Sequence, residues 1–232
     1  MPRLLVVGHG RMGTLVEGLA SAHGFELAGV VSGRASDALS GDAFGPVDVA
    51  IDFTNAEAVG RNLAVLAERG IHVVIGTTGL QEQESVLRAV ASRAGIGVVA
   101  AANFSLGMNL FQLIVEEAAR RLAPHGDFGA WIHEAHHAAK RDAPSGTALM
   151  LRDTMTAAGY NRPIDVSATR AGAIPGIHTI GFDGLSDTIE LTHTARDRRG
   201  FAAGALLAAT WLPGRRGWFS MTDVLRETIN RG

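Results

Sequence analysis

Within residues 131–149, WIHEAHHAAKRDAPSGTAL, three imidazoles, a carboxylate and an ammonium crowd together: His133, Glu134, His136, His137 and Lys140. Two chemistries compete for them. His133, Glu134 and His137 spell HExxH, which in zinc hydrolases sets two histidines on successive turns of one helix with the glutamate beside them as general base. Upstream, however, DFGAWI carries apolar and aromatic residues around a glycine, and downstream the proline of KRDAPSG disfavours helix at the residue before it. A strand followed by a loop is expected, which puts His133 and His137 on no common helical face, so no metal is expected. The second chemistry uses His136, His137 and Lys140 on a loop that enters a helix at APSGTAL, with Asp142 or Ser145 as cap and Pro144 in the first turn. The free N–H groups of Gly146 and Thr147 would then form an anion site that Lys140 complements. Such a loop suits a small carboxylated substrate that needs a proton; a solvated surface loop can carry the same residues.

A second constellation opens the chain. LLVVGHGRMGTLVEGLA places Gly8, Gly10 and Gly13 as GxGxxG directly after a strand-like run and at the start of a helical one. A pyrophosphate site needs this arrangement: a tight turn at the first glycine, close backbone approach at the second, and helix-on-strand packing at the third. The second strand ends at Ser32, Gly33 and Arg34 with no carboxylate for a ribose 2′-hydroxyl. Arg34 beside a hydroxyl suits a 2′-phosphate, which favours NADPH over NADH, although Arg34 reads equally well as a solvated loop charge. Two further turns, GTTGL at 76–80 and AANFSLG at 101–107, follow strand-like runs on what would be the same sheet edge.

The elements that must position these residues are expected as follows. Strand-like runs at Leu4–Val7, Leu27–Val31, Val47–Phe53, Ile71–Ile75 and Ile96–Ala100 alternate with helical segments, which implies a Rossmann-like doubly wound parallel sheet. Beyond Phe104 the alternation stops. MNLFQLIVEEAARRLA is expected to bury Leu110, Leu113, Ile114 and Ala118 on one face, and strand-like segments follow around 174–182 and 188–194. This half reads as an α+β domain with a mixed or antiparallel sheet. The tail reads as helix, Pro/Gly turn and a second helix capped at Ser220 or Thr222. The expected division is 1–106, completed by 203–232, for the dinucleotide, and 107–202 for substrate and oligomerisation.

Composition removes several function classes. A net charge of −2 lacks the clustered Lys and Arg of a general nucleic-acid binder, and the absence of cysteine excludes a disulfide framework, a thiolate nucleophile and a Cys-type zinc site. No run approaches membrane-spanning length, and a cytoplasmic location is expected.

EAHHAAKRDAPSGTAL also resembles the EAHHxxKxDAPSGTA signature of the 4-hydroxy-tetrahydrodipicolinate reductase (dihydrodipicolinate reductase) family. GRMG, DFT, GTTG, AANFS and MTDVL fall in that family's order, and RAGAIPGIHTIGF and FAAGALLAATWL are similar to its later segments. The resemblance implies an NAD(P)H-dependent reduction in the diaminopimelate route to lysine, with hydride delivered to carbon 4 of a cyclic dicarboxylate imine. It implies His136 as proton donor, Lys140 as its helper and a substrate ligand, and His137, Ser145, Gly146 and Thr147 at the substrate carboxylates. For the cofactor it implies Gly8, His9, Gly10, Arg11, Met12 and Gly13 at the pyrophosphate, with Ser32 and Arg34 at the ribose. The nicotinamide falls to Gly76, Thr77, Thr78, Ala101, Ala102, Asn103 and Phe104. A homotetramer built through the second domain's sheet is also implied. The glycine-rich turn is one residue shorter than the common family form, and the acidic ribose ligand of dual-specificity members is missing. A zinc hydrolase and a non-catalytic dinucleotide-sensing protein are the alternatives.

Overall fold

A strand covered by helices on both faces has to be apolar along its whole length, and Leu4, Leu5, Val6 and Val7 are all at most 1% exposed. They belong to β1 (Arg3–Val7), an interior strand of a parallel sheet with β2 (Glu26–Val31), β3 (Val49–Asp52), β4 (His72–Ile75), β5 (Gly97–Ala100) and β10 (Gly217–Phe219). The order is β10-β5-β4-β3-β1-β2, and every pairing is parallel. The helices are α1 (Arg11–Ala20), α2 (Ala56–Glu68), α3 (Glu84–Ala94), α6 (Arg199–Trp211) and α7 (Met221–Ile229). The computed structural model describes residues 1–32, 39 and 41–229. This sheet lies in one unit, Met1–Leu106 with Arg198–Gly232; a second unit spans Gly107–Asp197.

Strand β10 corrects the reading of the tail as two helices joined by a turn. Gly-Trp-Phe is too short to show a period, and it pairs with β5 only because the chain returns to that edge. Ser220 then caps α7: its hydroxyl donates to Asp223 Oδ2 at 2.7 Å and accepts from the Asp223 N–H at 3.3 Å. Of the two candidate caps, Ser220 is the one used.

The second unit is built on a four-stranded mixed sheet, β7-β6-β8-β9, comprising β6 (Gly129–His136), β7 (Ile164–Arg170), β8 (Ile177–Asp183) and β9 (Thr188–Thr194). Strands β6 and β7 run parallel; β6/β8 and β8/β9 run antiparallel. Helices α4 (Leu106–Leu122) and α5 (Gly146–Ala157) supply its core, with Met108, Phe111, Val115 and Ala119 packed among Ile132, Leu151, Met155 and Ile180. The expected face of α4 is therefore not the one buried, and Ile114 is 54% exposed. Both faces carry apolar residues at helical spacing, so periodicity alone could not choose between them. Strand β7 was not anticipated, because IDVSATR is half-polar and alternates without a hydrophobic run.

Candidate active site

In the first unit, Gly8 follows β1 at φ 100°, and a Cβ there would lie 2.7 Å from the Phe53 carbonyl oxygen. At Gly13 a Cβ would come within 1.8 Å of the Gly8 carbonyl, so only glycine lets α1 rest against the turn. Gly10 borders open space at the start of α1. A hollow of about 400 Å³ lies there, lined by Gly8, His9, Gly10, Ser32, Phe53 and Thr54. It sits at the carboxyl ends of β1, β2 and β3, where the order of connections reverses and open α/β sheets place ligands. Arg11 is exposed and Met12 half-buried. Arg34 falls outside the described residues.

Asp52 shapes the rim of this hollow. It is buried, accepts from the Thr54 N–H and hydroxyl at 2.8 and 2.6 Å and from Asn62 Nδ2 at 2.8 Å, and so holds the turn after β3. Burial raises its pKa, partly offset by those hydrogen bonds.

A second cavity of the same unit, about 410 Å³, is lined by Thr77, Thr78, Ala101 and Ala102 together with Trp218, Phe219 and Ser220. The last three come from β10 and its end; the sequence marked Ser220 only as a helix cap, and Trp218 and Phe219 not at all. Thr77 Oγ1 is buried here without a hydrogen-bond partner. An unmet hydroxyl in this cavity, in the same unit as the glycine turn that a Cβ would obstruct, fits a dinucleotide with an amide-bearing ring. Gly76 is pinned by the Phe53 ring, 2.1 Å from where its Cβ would be. Phe104 is 2% exposed and edge-on to Phe53 at 6.3 Å. Asn103 Oδ1 accepts from the Ser105 N–H at 2.8 Å.

In the second unit, strand alternation decides the geometry. Residues i and i+2 share a face, so Glu134 and His136 point the same way and His133 points the other. His133 Nδ1 meets Ser167 Oγ at 3.0 Å, while Glu134 is fully buried. The helix that an HExxH zinc site requires is not formed here; β6 runs through to His136. His136 thus ends a strand instead of lying on a loop, as the sequence had suggested.

Glu134 gathers the neighbourhood. Its oxygens accept from Arg170 Nη2 at 2.6 Å and Nη1 at 2.9 Å and from the Ser145 N–H at 2.9 Å, and Oε2 lies 2.5 Å from His136 Nδ1. Burial alone would raise its pKa, but the Arg170 fork, His136 and the Ser145 N–H outweigh it and hold the carboxyl at about 2. The His178 ring stands edge-on to His136 with centroids 5.1 Å apart. Burial first, and then the neighbouring His136, push His178 down to about 4, so it is neutral at pH 7. Sequence reasoning used Glu134 only as part of the zinc pattern and passed over Arg170 and His178.

His178 links pH to stability. Its pKa is about 4 when folded and, as an ordinary imidazole, about 6.5 when unfolded, so the unfolded chain takes up the proton first. Its contribution is complete above pH ~6.5 and is lost as pH falls from there toward ~4, amounting to about 3 kcal/mol at most. Denaturant titrations at neutral and mildly acidic pH should show this loss in the wild-type chain and a smaller one in His178→Gln. Equal slopes would remove His178 as the source.

Lys140 and α5 complete the site. Ser145 is the N-cap, its hydroxyl accepting from the Ala148 N–H at 3.2 Å and meeting His178 Nε2 at 3.3 Å. With its N–H on Glu134 and only 2% exposure, Ser145 is turned inward. Pro144 precedes the cap, joined to Ala143 by a cis bond, and is not in the first turn. Gly146 is exposed, and its N–H points at Asp142 Oδ2, 3.4 Å away. Lys140 Nζ donates to the same carboxylate at 2.6 and 2.8 Å, which lowers the Asp142 pKa. An ammonium and a helix N–H therefore converge on a carboxylate, here the chain's own. His137 and Thr147 are both half-buried.

Both halves of the chain match known proteins. Residues 2–104 match the description "Dihydrodipicolinate reductase, N-terminus" and 107–225 match "Dihydrodipicolinate reductase, C-terminus". The chain is 40% identical to a 4-hydroxy-tetrahydrodipicolinate reductase of Afipia carboxidovorans, covering 96% of each protein. It is 38% identical to one of an Anaeromyxobacter species over 97% of this chain and 98% of that protein. A dipicolinate-bound dihydrodipicolinate reductase from Paenisporosarcina sp. TG-14 has the same fold, with a TM-score of 0.81 at 20% identity over 95% of this chain and 97% of that one. No helix among the described residues is long and apolar enough to cross a membrane. With both halves of the chain matched and full-length relatives near 40% identity, the chain belongs to the dihydrodipicolinate reductase family.

Proposed function

We propose that this chain reduces its cyclic imine substrate with His136 as the proton donor, while Lys140, His137, Gly146 and Thr147 hold the substrate's carboxylates. Family membership makes it an oxidoreductase, a 4-hydroxy-tetrahydrodipicolinate reductase of lysine biosynthesis using NAD(P)H. The observation that carries the residue assignment is the convergence at the end of β6: a His136 ring oriented by a buried carboxylate, near a loop ammonium and an exposed helix N–H that already bind a carboxylate.

Reduced nicotinamide, when bound, supplies a hydride, directed to ring carbon 4 of the conjugated imine. His136 gives its proton to the neighbouring carbon, a transfer for which imidazole is suited near neutral pH. Lys140 holds a carboxylate by charge-assisted hydrogen bonding, and the substrate exchanges with Asp142 for that contact. Gly8 to Gly13 would hold the pyrophosphate, and Thr77, Thr78, Ala101 and Ala102 the nicotinamide. Ser32, exposed at the end of β2 without a carboxylate, together with Arg34 two residues on, favours NADPH. The same reading makes the chain a cytoplasmic homotetramer joined through the outward face of β6, β8 and β9, where Trp131, Thr179 and Thr192 lie.

Dipicolinate, a planar dicarboxylate, is the probe for this site. Calorimetric titration into protein loaded with NADPH should give saturable binding at one site per chain. Absence of saturable binding would overturn the assignment of these residues to the substrate.

A further inference from the structure

Glu134 is a buried carboxylate that touches His136 but has no step of its own in the reduction described above. Burying an ion pair such as Glu134 and Arg170 is poor evidence of a gain in stability, because desolvating both charges costs about what their attraction returns. The pair does supply direction. An ionised carboxylate only accepts, so the proton in the Glu134–His136 contact sits on His136 Nδ1. Arg170 and the Ser145 N–H fix where that acceptor stands: both donate to Oε1, and Arg170 Nη1 also shares Oε2 with His136. The remaining ring nitrogen, His136 Nε2, lies by Gly176, where a Cβ would approach to 3.2 Å. The imidazole side chain keeps 12% of its surface exposed, against none for Glu134.

We propose that Glu134 is the positioning residue of the proton transfer: it locks His136 with Nδ1–H inward, so that the proton given to the substrate leaves from Nε2. The inference rests on the reading of His136 as donor. In the step, hydride addition to the neutral conjugated imine brings two electrons to the substrate ring and leaves an aza-enolate, the anion of an enamine. Its carbon takes the Nε2 proton as the C–H bond forms and the ring returns to a neutral imine, and the N–H electron pair stays on Nε2. His136 ends as a neutral ring, still donating Nδ1–H to Glu134, whose charge had balanced the imidazolium; water restores the Nε2 proton. Ser145 acts at one remove, capping α5 and holding Glu134 with its N–H.

The test joins kinetics to a spectroscopic signature. In NADPH-loaded wild-type protein carrying ¹⁵N-histidine, the His136 ring, assigned by its loss in His136→Gln, should show a protonated Nδ1. A neutral ring protonated only at Nε2 would overturn the proposal, whatever the variants do. Glu134→Gln, which keeps size but loses charge, should lower kcat about 100-fold with KM within about 3-fold, the range of a lost contribution to general acid catalysis. Glu134→Asp should recover part of that loss, as a merely space-filling role would not. If Glu134→Gln folds and turns over within about 3-fold of wild type while His136→Gln is inactive, only this inference falls. If His136→Gln itself turns over normally, the donor reading falls first. Should Glu134→Gln fail to fold, the wild-type ring spectrum still decides.

Discussion

His136→Gln is expected to lower kcat by about 10²–10⁴-fold, the usual weight of a positioned general acid, with little change in KM. Glutamine matches the imidazole in reach and can still hydrogen-bond to Glu134, but it has no proton to give. The lost interaction is made only as the proton moves, so the loss belongs in kcat and kcat/KM equally. Steady-state kinetics on a variant with an unchanged melting temperature would check this, and near-normal kcat would remove His136 from the chemistry.

Lys140→Ala is expected to act on binding. A charge-assisted hydrogen bond to a carboxylate is worth about 1.5–3 kcal/mol, so dipicolinate affinity should fall roughly 10–100-fold and substrate KM should rise. Stability should hardly change. Lys140 and Asp142 form a pair whose side chains are 23% and 56% exposed, and pairs of that kind contribute about 0–1 kcal/mol. Calorimetry and thermal melting on the same preparation separate the two effects. A large fall in melting temperature with unchanged dipicolinate affinity would mean that Lys140 serves the fold and not the ligand.

These contrasts follow from what each residue touches, and they also explain which parts were legible in sequence. The interior strands of the first sheet could be read because burial on both faces demands unbroken apolar runs, as in Leu4–Val7 and Val49–Ile51. Strand β10 could not, since three residues carry no period and its partner β5 is more than a hundred residues away in the chain. In α4 both helical faces were apolar, and only packing against β6 and α5 selected Met108, Phe111, Val115 and Ala119.

The candidate site divides the same way. His136, His137, Lys140 and Gly146 are near neighbours in the chain, so one contiguous signature exposes them. Glu134 was in view but misplaced, because a strand carried through His136 would have set the two side chains on one face. Arg170 arrives by β6/β7 pairing from 36 residues away, and His178 by the β6/β8 pairing. No local pattern announces either. Trp218 and Phe219 reach the first unit's cavity by the same kind of long-range return.

The central claim, that this chain reduces the family's substrate, is tested most directly by turnover of the purified wild-type protein. The product of an aldolase acting on pyruvate and aspartate semialdehyde would be supplied with NADPH and, separately, with NADH, and oxidation of the nicotinamide followed. The account predicts oxidation that depends on the aldolase product, persists in the presence of a metal chelator, and has the lower KM with NADPH. Tight binding of NADPH with no oxidation when that product is supplied would contradict it and leave a dinucleotide-sensing protein in its place.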